Sequence, residues 1–429
     1  DGTKLGTITN AKGAFDLRVP DKEQVKLRAK LVGYKDKTIK ATPGGQEVTI
    51  EMKEQIMQTD EVVISASRME ENIMRSPVTI STMSLLEIRE NPSISAYDAM
   101  ASMKGVDRMS VSLINKSYNT RGFNSANNSR FIQRIDGVDM QTPGLNAPNG
   151  LLTGAIDLDI AKMELIPGAS SALYGPNAFN GLLNIQTKDP FQYPGLSVSV
   201  KSGANHLNSP QVDPQPFNQV SVRYAKPITR RFGVKVNAEV IRGEDWYANN
   251  FNDQANYSGT VNLEEFDRGP GNPGFDGVNT YGDAVSTVID SSFFPSSFYN
   301  LTELFSNLGV DTIEFDPTRV ARTGYREADL VDYDTYSARA DIGLYYRFTN
   351  NLQLEWQSRF SQGSSVLQAD SRISMNNLRL HNHKLELSGD RFFVRAYGTI
   401  ENSGDSFDSR LTAINLNREV KADEQWFTQ

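Results

Sequence analysis

Residues 160–189, IAKMELIPGASSALYGPNAFNGLLNIQTKD, decide how the rest of the chain is read. Ile160, Met163 and Leu165 carry the apolar side of an alternating strand that turns at Pro167-Gly168. A short helix-like piece follows over residues 170–174, and the chain returns as a second strand over 182–187. Gly168, Gly175 and Gly181 stand at the joints, where backbone freedom is needed. On physical grounds this is a compact α+β unit of strand, tight helical turn and strand.

The composition limits what can surround that unit. The 429 residues suffice for two or three domains, and 22% charged with 38% hydrophobic residues is ordinary for folded protein. Mean hydropathy is -0.46, and no run approaches the roughly 18 apolar residues of a membrane helix, so a bilayer would have to be crossed by strands. Sixteen Tyr and twenty-one Phe suit aromatic girdles. A net charge of -8 without a basic patch argues against nucleic acid as a partner. The absence of cysteine removes disulfides and thiolate metal sites. The chain begins in mid-motif, so its natural start, with any targeting segment, is expected upstream.

The residues of the opening stretch, SALYG at 171–175 and GLLNI at 181–185, resemble the C-terminal signature of the plug domain of TonB-dependent outer-membrane transporters. One position departs: Ile166-Pro167-Gly168 stands where that family commonly has Arg-Gly-Pro, so a plug-to-barrel ion pair from that arginine is unavailable here. The resemblance implies a plug over residues 75–190. Within it, Ser81-Thr82 is expected to lead a helix over 83–89, and Ser95 to cap another over 96–103 that stops at Gly105. Strands are expected at 120–123 and 130–135, the second ending in an Asp136-Gly137 turn; they resemble the family's IRG and IDGV segments. Two loops, 109–119 and 140–152, face outward in the resembling fold. They offer Ser110, Asn115, Lys116, Gln141, Asn146 and Asn149 as donors and acceptors for a substrate, although turns favour such residues in any case.

Ahead of the plug, residues 1–53 read as a small β-sandwich, with strands at 14–19, 25–29 and 48–52 and turns at 10–13 and Val32-Gly33-Tyr34. GTITNAKGAF and LRAKLVGY resemble the carboxypeptidase-regulatory-like domain that precedes the plug in many transporters of the Bacteroidota. No histidine precedes His206, so that domain has no catalytic zinc signature. In the linker 54–74, Asp60, Glu61, Val62, Val63, Ile64, Ser65 and Ala66 resemble a TonB box. A tethered, β-prone run of this kind can add itself as a strand to the edge of a periplasmic partner; the alternative is the first strand of the plug or a packed linker.

From residue 191 the pattern is that of paired strands. Apolar and polar residues alternate over 196–201, 220–224, 234–240, 336–348, 352–357, 378–387 and 392–400, joined by tight turns at 229–231, 349–351 and 388–390. In the sixth, the apolar parity slips between Leu380 and Leu385, which predicts a bulge near 381–383. The link 244–334 is 91 residues long, which marks it as an external lid or binding surface. Its Trp246, Tyr247 and Phe251, with Tyr257, Phe275, Phe293, Phe294 and Tyr299, suit stacking on a substrate or a small core of the loop's own. Its carboxylates Asp245, Asp253, Glu264, Glu265 and Asp267 make calcium conceivable, and a helical piece is expected near 302–308. His381 and His383 share a strand face without a third ligand, so no metal site is assigned. No nucleophile elbow or phosphate loop is present, and no catalytic residues are assigned.

The fold expected is therefore mainly β: a small β-sandwich, an α+β plug, and the first strands of a transmembrane antiparallel barrel of about 22 strands. Seven strands leave an edge that lipid cannot satisfy, so the chain is expected to be the N-terminal portion of a longer protein. What the resemblance implies is a non-enzymatic importer in the bacterial outer membrane, its N-terminal domain and TonB box periplasmic. Its partners would be TonB with the inner-membrane energising complex, outer-membrane lipid, and a small-molecule, glycan or peptide substrate. A surface lipoprotein lid stays open; the starch-utilisation-type relatives that use one read closer to KDASATAIYG where Gly168-Ala169-Ser170-Ser171 stands here. The competing class is a plugged-barrel scaffold within an outer-membrane assembly or secretion complex.

Overall fold

The computed structural model describes the chain apart from residues 1–5, 8, 10–12, 20–23, 30–36, 45–46, 53–61, 64, 66–70, 73–75, 77, 124, 127, 145, 147–149, 176, 210–211, 249, 255–270, 291–307, 309–315, 369–371 and 429. It forms two compact units, residues 1–64 with 70–76, and residues 65–69 with 77–429. In the first, β1 (Val25–Ala29) pairs antiparallel with β2 (Lys37–Ala41), and β3 (Val62–Val63) pairs with β4 (Glu71–Asn72). Residues 14–19 and 48–52, expected as strands, join no ladder, and β2 was not expected. Alternation fixes which way a side chain would face, but a strand also needs a neighbour to bond, and the local pattern does not name one.

The second unit begins with a five-stranded sheet in the order β5-β10-β11-β8-β9. Its members are β5 (Ser81–Ser84), β8 (Phe131–Ile135), β9 (Val138–Asp139), β10 (Ile160–Pro167) and β11 (Gly181–Thr187); β6 (Val106–Ser110) and β7 (Lys116–Thr120) make a separate hairpin. The residues expected to lead the first helix instead belong to β5, where Met83 is buried opposite Met163. Helix α1 (Leu85–Glu90) starts two residues later than expected, capped by Ser84, because Glu87 closes a capping box there. Ser95 caps α2 (Ala96–Ala99), which tightens to a 3-10 turn over Met100–Ser102. Strand β7 ends at Thr120, where 120–123 was expected to start one, because Arg121 and Gly122 turn with positive φ. Short helices α3 (Gly150–Thr153) and α4 (Ser171–Tyr174) complete this layer. Tyr97, Met100, Ile114, Phe131, Leu152 and Met163 are central to its core.

The remainder is a curved antiparallel sheet, here called the wall, in which β12 (Gly195–Asn205), β13 (Gln215–Pro227), β14 (Phe232–Glu244), β19 (Asp334–Thr349), β20 (Leu352–Gln368), β21 (Arg372–Gly389) and β22 (Phe392–Asn402) pair in chain order. These are the seven strands expected from alternation. Their polarity is inverted relative to a water-soluble sheet. Val200 is 69% exposed, with Leu196, Tyr224, Trp356 and Ile400 on the same outer face, whereas Lys235 is 2% exposed on the inner face among Arg223, Glu239 and Arg339. An apolar outer and polar inner face is the arrangement that lipid requires.

The register break in β21 lies at Asn376-Asn377, where the pairing jumps from Ser365↔Met375 to Gly363↔Leu378 and Asn377 takes φ 55°; it does not lie at 381–383, where pairing is unbroken. The apolar slip has another cause. Leu378 and Leu380 face inward and join the plug's core, while Leu385 faces outward, so one strand meets two apolar environments from opposite faces.

Between β14 and β19 the chain forms β15 (Thr280–Tyr281), β16 (Ser286–Ile289), β17 (Thr318–Ala321) and β18 (Tyr325–Arg326), with β15 pairing β18 and β16 pairing β17. Residues 302–307 lie outside the described residues, so the helix expected there is not assessed. After β22, β23 (Phe407–Asp408) pairs with the start of β21, and helices α5 (Ser409–Val420) and α6 (Asp423–Phe427) pack on this loop. Asp408 caps α5, whose Ser409, Ala413 and Asn417 form the buried stripe at i, i+4, i+8.

Candidate functional site: coupling segment, apical loops and plug seat

Of the seven residues that resemble a TonB box, Asp60, Glu61, Ile64 and Ala66 lie outside the described residues. Val62 and Val63 form β3, and Val63 is buried. Ser65 is fixed to the plug sheet: its N and Oγ donate to Glu164 Oε2 at 2.9 and 2.6 Å, and its carbonyl accepts from Tyr174 Oη at 2.8 Å. Glu164 stands on β10, fully buried, with Gln186 Nε2 donating to its other oxygen at 2.9 Å and Lys162 at 3.4 Å. Tyr174 is the aromatic of SALYG, so the opening stretch supplies both clamps on Ser65.

The first apical loop is the tip of the β6–β7 hairpin, and it is tied to the wall. Leu113 N donates to Asp245 Oδ1 at 3.0 Å, Ser365 Oγ contacts Ser112 Oγ at 2.8 Å and Asp245 Oδ2 at 3.0 Å, and Gln368 N donates to the Val111 carbonyl at 2.7 Å. Asn115 is 2% exposed, its amide against Ser365 at 3.4 Å, so it sits in this tie and not in solvent. Ser110 is exposed. Lys116 donates to the carbonyls of Ser112 and Leu113, both at 3.1 Å, and lies 5.3 Å over the Trp246 ring; burial lowers its pKa. In the second loop, Gln141 and Asn146 share Asn177 Nδ2, at 3.3 and 3.0 Å. Asn149 lies outside the described residues.

Trp246 follows Asp245 at the mouth of the long loop, and its carbonyl accepts from Arg372 at 2.9 Å. Tyr247 stacks on Tyr333 at 4.0 Å, and burial together with the bond to Glu244 pushes its pKa up to about 12. Phe251 is 47% exposed beneath Arg326. The structure thus brings Lys116 and Trp246 together, with Phe251 apart from them in the loop. Among the described residues no three of His, Cys, Asp and Glu form a metal-holding group, and Glu264, Glu265 and Asp267 lie outside them. His381 and His383 share the outer face, the former edge-on to Phe360 at 4.4 Å.

The largest feature that the sequence reading missed is the seat of the plug. Asp159 receives two wall cations, Arg223 Nε at 2.8 Å and Lys235 Nζ at 2.7 Å. Asp157 receives Lys201 at 3.1 Å. Asp136, in the Asp-Gly turn, pairs with Arg359 and accepts from Thr187 N and Oγ1 at 2.8 Å. Burial works against the charge on Asp136, but Arg359, Lys384 and Lys235 more than offset it and hold the carboxyl well below the usual range. Asp157 shows the opposite balance: burial outweighs Lys201 and raises its pKa. Arg339 adds bonds to the carbonyls of Gly154 and Ala155 at 3.0 and 3.1 Å. In these pairs the carboxylates stand on the plug and the cations on the wall. The cations were visible as the polar parity of the strands, but the partners lie 44 to 223 residues away in sequence, where no local signal reaches.

The sequence profile of the TonB-dependent receptor plug domain matches residues 72–182, and that of a CarboxypepD_reg-like domain matches residues 1–64. The chain is similar to the vitamin B12 transporter BtuB of Vibrio vulnificus (strain CMCP6), 28% identical over 155 residues, which are 35% of this chain and 24% of that protein. Among solved structures, a mutant of the ferric enterobactin receptor PfeA of Pseudomonas aeruginosa matches 80% of this chain and 42% of its own, with 14% identity and a TM-score of 0.46. The alcaligin outer-membrane receptor FauA of Bordetella pertussis matches 80% and 49%, with 11% identity and a TM-score of 0.40. The chain spans about a quarter of the curated relative's length, and less than half of these structures'. These relatives are transporters and receptors. Residues 72–182 thus carry the plug domain of TonB-dependent receptors, with a carboxypeptidase-regulatory-like domain ahead of it over residues 1–64.

Proposed function

We propose that the whole protein imports a nutrient across the outer membrane without bond chemistry, and that residues 60–66 are the strand by which TonB and its inner-membrane energising complex pull the plug. The observation that carries this is the pair of bonds from Ser65 to Glu164: a pull on the segment is delivered to β10, inside the plug sheet and not at its edge. Tension along a β-paired strand can then do mechanical work on a plug held by side-chain pairs. Ser110, Lys116, Gln141 and Asn146, together with Trp246 and Phe251 of the long loop, are the residues proposed to meet the substrate; Asn115 acts in holding the loop that presents them. Calcium in the external loop and a lipoprotein lid are compatible with this scheme, and the carboxypeptidase-regulatory-like domain suits its Bacteroidota form.

The test is deletion of residues 60–65 from the whole protein, followed by binding of a purified TonB periplasmic domain and growth on single nutrients. Lost binding with lost growth on one nutrient supports import and names the cargo; retained binding and growth refute the coupling assignment. A scaffold role has one observation in its favour. The external loop is braced within itself and to the wall: Glu327 accepts from Tyr281 at 2.6 Å and Tyr333 at 3.0 Å of the loop, and from Arg372 of β21 at 2.7 and 2.9 Å, which suits a rigid docking body. Survival of every growth condition alongside loss of a co-purifying partner on loop deletion would favour it.

A further inference from the structure

The ion pairs of the plug seat are unequally shared, and the imbalance bears on what can pass. The wall's own carboxylates Glu239, Glu355 and Glu386 are paired within the wall, with Arg339, Lys384 and Arg395. Lys201, Arg223, Lys235 and Arg359 find their ion-pair partners on the plug instead, in Asp157, Asp159 and Asp136. These four sit on the inner face of β12, β13, β14 and β20, with β19 between the last two. Asp341 on β19 faces the same space among them, and Glu401 on β22 bonds Gly144 N of the plug at 2.8 Å. Two carboxylates do not balance four cations.

We propose that this arc of the wall is an anion-favouring surface masked at rest by the plug, and that the imported solute is a small carboxylate- or phosphate-bearing anion. The proposal rests on the import reading. When the plug yields, its three carboxylates leave with it, and the surplus cations line one side of the path. In a narrow aqueous path bounded by protein, such a surplus raises the local concentration of anions and lowers that of cations.

The chain has no cysteine, so a single introduced thiol is a clean reporter. Ser361 is 6% exposed and lies two residues from Arg359 on the same inner face of β20. Ser361→Cys in the whole protein, in energised cells given the substrate mixture, is treated with an anionic (sulfonatoethyl) or a cationic (trimethylammonioethyl) methanethiosulfonate. The two rates are normalised to those on a small free thiol. The expected result is a normalised preference of about fivefold for the anionic reagent, a magnitude limited by salt screening. It falls to about one in Lys235→Gln with Arg359→Gln. Because the readout is a ratio, looser seating of the plug in that variant does not confound it. Ser221→Cys, beside Arg223, gives the second reading if the first variant is poorly assembled. Equal rates, or a faster cationic reagent, overturn the proposal while leaving import intact. A thiol that neither reagent reaches in energised cells means that the plug stays seated, and import and the proposal fall together.

Discussion

Asp136→Asn isolates the charge of the plug seat from its geometry. Residues 136 and 137 take φ of 49° and 79°, a turn that Asn-Gly forms as readily as Asp-Gly, so the hairpin between β8 and β9 persists. What is lost is the anion facing Arg359, whose side chain is 8% exposed. Removing one member of a buried pair typically costs about 3–5 kcal/mol. Arg359 keeps Gln357 Oε1 at 2.7 Å, and the new amide oxygen still accepts from Thr187, which places the cost at the lower end, about 3 kcal/mol. At 1.4 kcal/mol per decade that is about a hundredfold in the equilibrium between seated and unseated plug. The assay is hydrogen exchange on the whole protein in detergent. Amides of β8 and β11 are expected to exchange about a hundredfold faster, with the β12–β13 ladder unchanged. Arg359→Gln should reproduce most of this, and the double variant should fall well short of the sum. A change below about threefold, or strict additivity, would refute the seating role. The pair also predicts a pH signature. Because the folded-state pKa of Asp136 is depressed, its contribution is complete above the ordinary carboxyl value of 3.8 and fades as pH falls below it. The Asn variant lacks this acid-dependent step.

Three further outcomes are expected. Glu164→Gln weakens the charge-assisted bonds to Ser65, so tryptic cleavage at Arg68 should accelerate roughly tenfold; an unchanged rate would mean that Ser65 is held by other contacts. Gly282 has φ 99°, and a Cβ there would stand 2.8 Å from Asn417 Nδ2 and 3.2 Å from the Ala413 carbonyl, so Gly282→Ala should loosen α5 from the external loop at a cost of about 1–3 kcal/mol, read as faster proteolysis across 403–428. Burial first, then Arg223 and Arg89 nearby, lower the Lys188 pKa to about 8 from 10.5. The unfolded chain then binds more protons between those values, stability rises with pH across that window, and Lys188→Met should flatten the dependence of Tm on pH.

The fold was legible where a local rule sufficed. SALYG and the glycines of 160–189 gave the plug, and strict alternation gave all seven wall strands, because a period of two is set by the pleat itself. It was less legible where a strand's neighbour decided. The parity change at Leu380 read as a bulge because its cause, the plug core under Leu378 and Leu380, is contributed by residues far upstream. Ser81 and Thr82 read as helix leaders because the strand they form bonds to β10, about 80 residues later. The six apical residues were chosen for polarity, and polarity alone does not separate Asn115, which holds the loop to the wall, from Ser110, which is exposed.

The wall's inverted polarity also constrains how the protein is made. In water its outer face, from Leu196 and Val200 on β12 to Ile400 on β22, is a broad apolar surface of the kind that drives clumping. In lipid without the plug, the inner face is left with charges lacking their counterparts. Neither half is a comfortable intermediate by itself, and the economical order of biogenesis is one in which the sheet closes around a plug already in place, as a mould sets around its core.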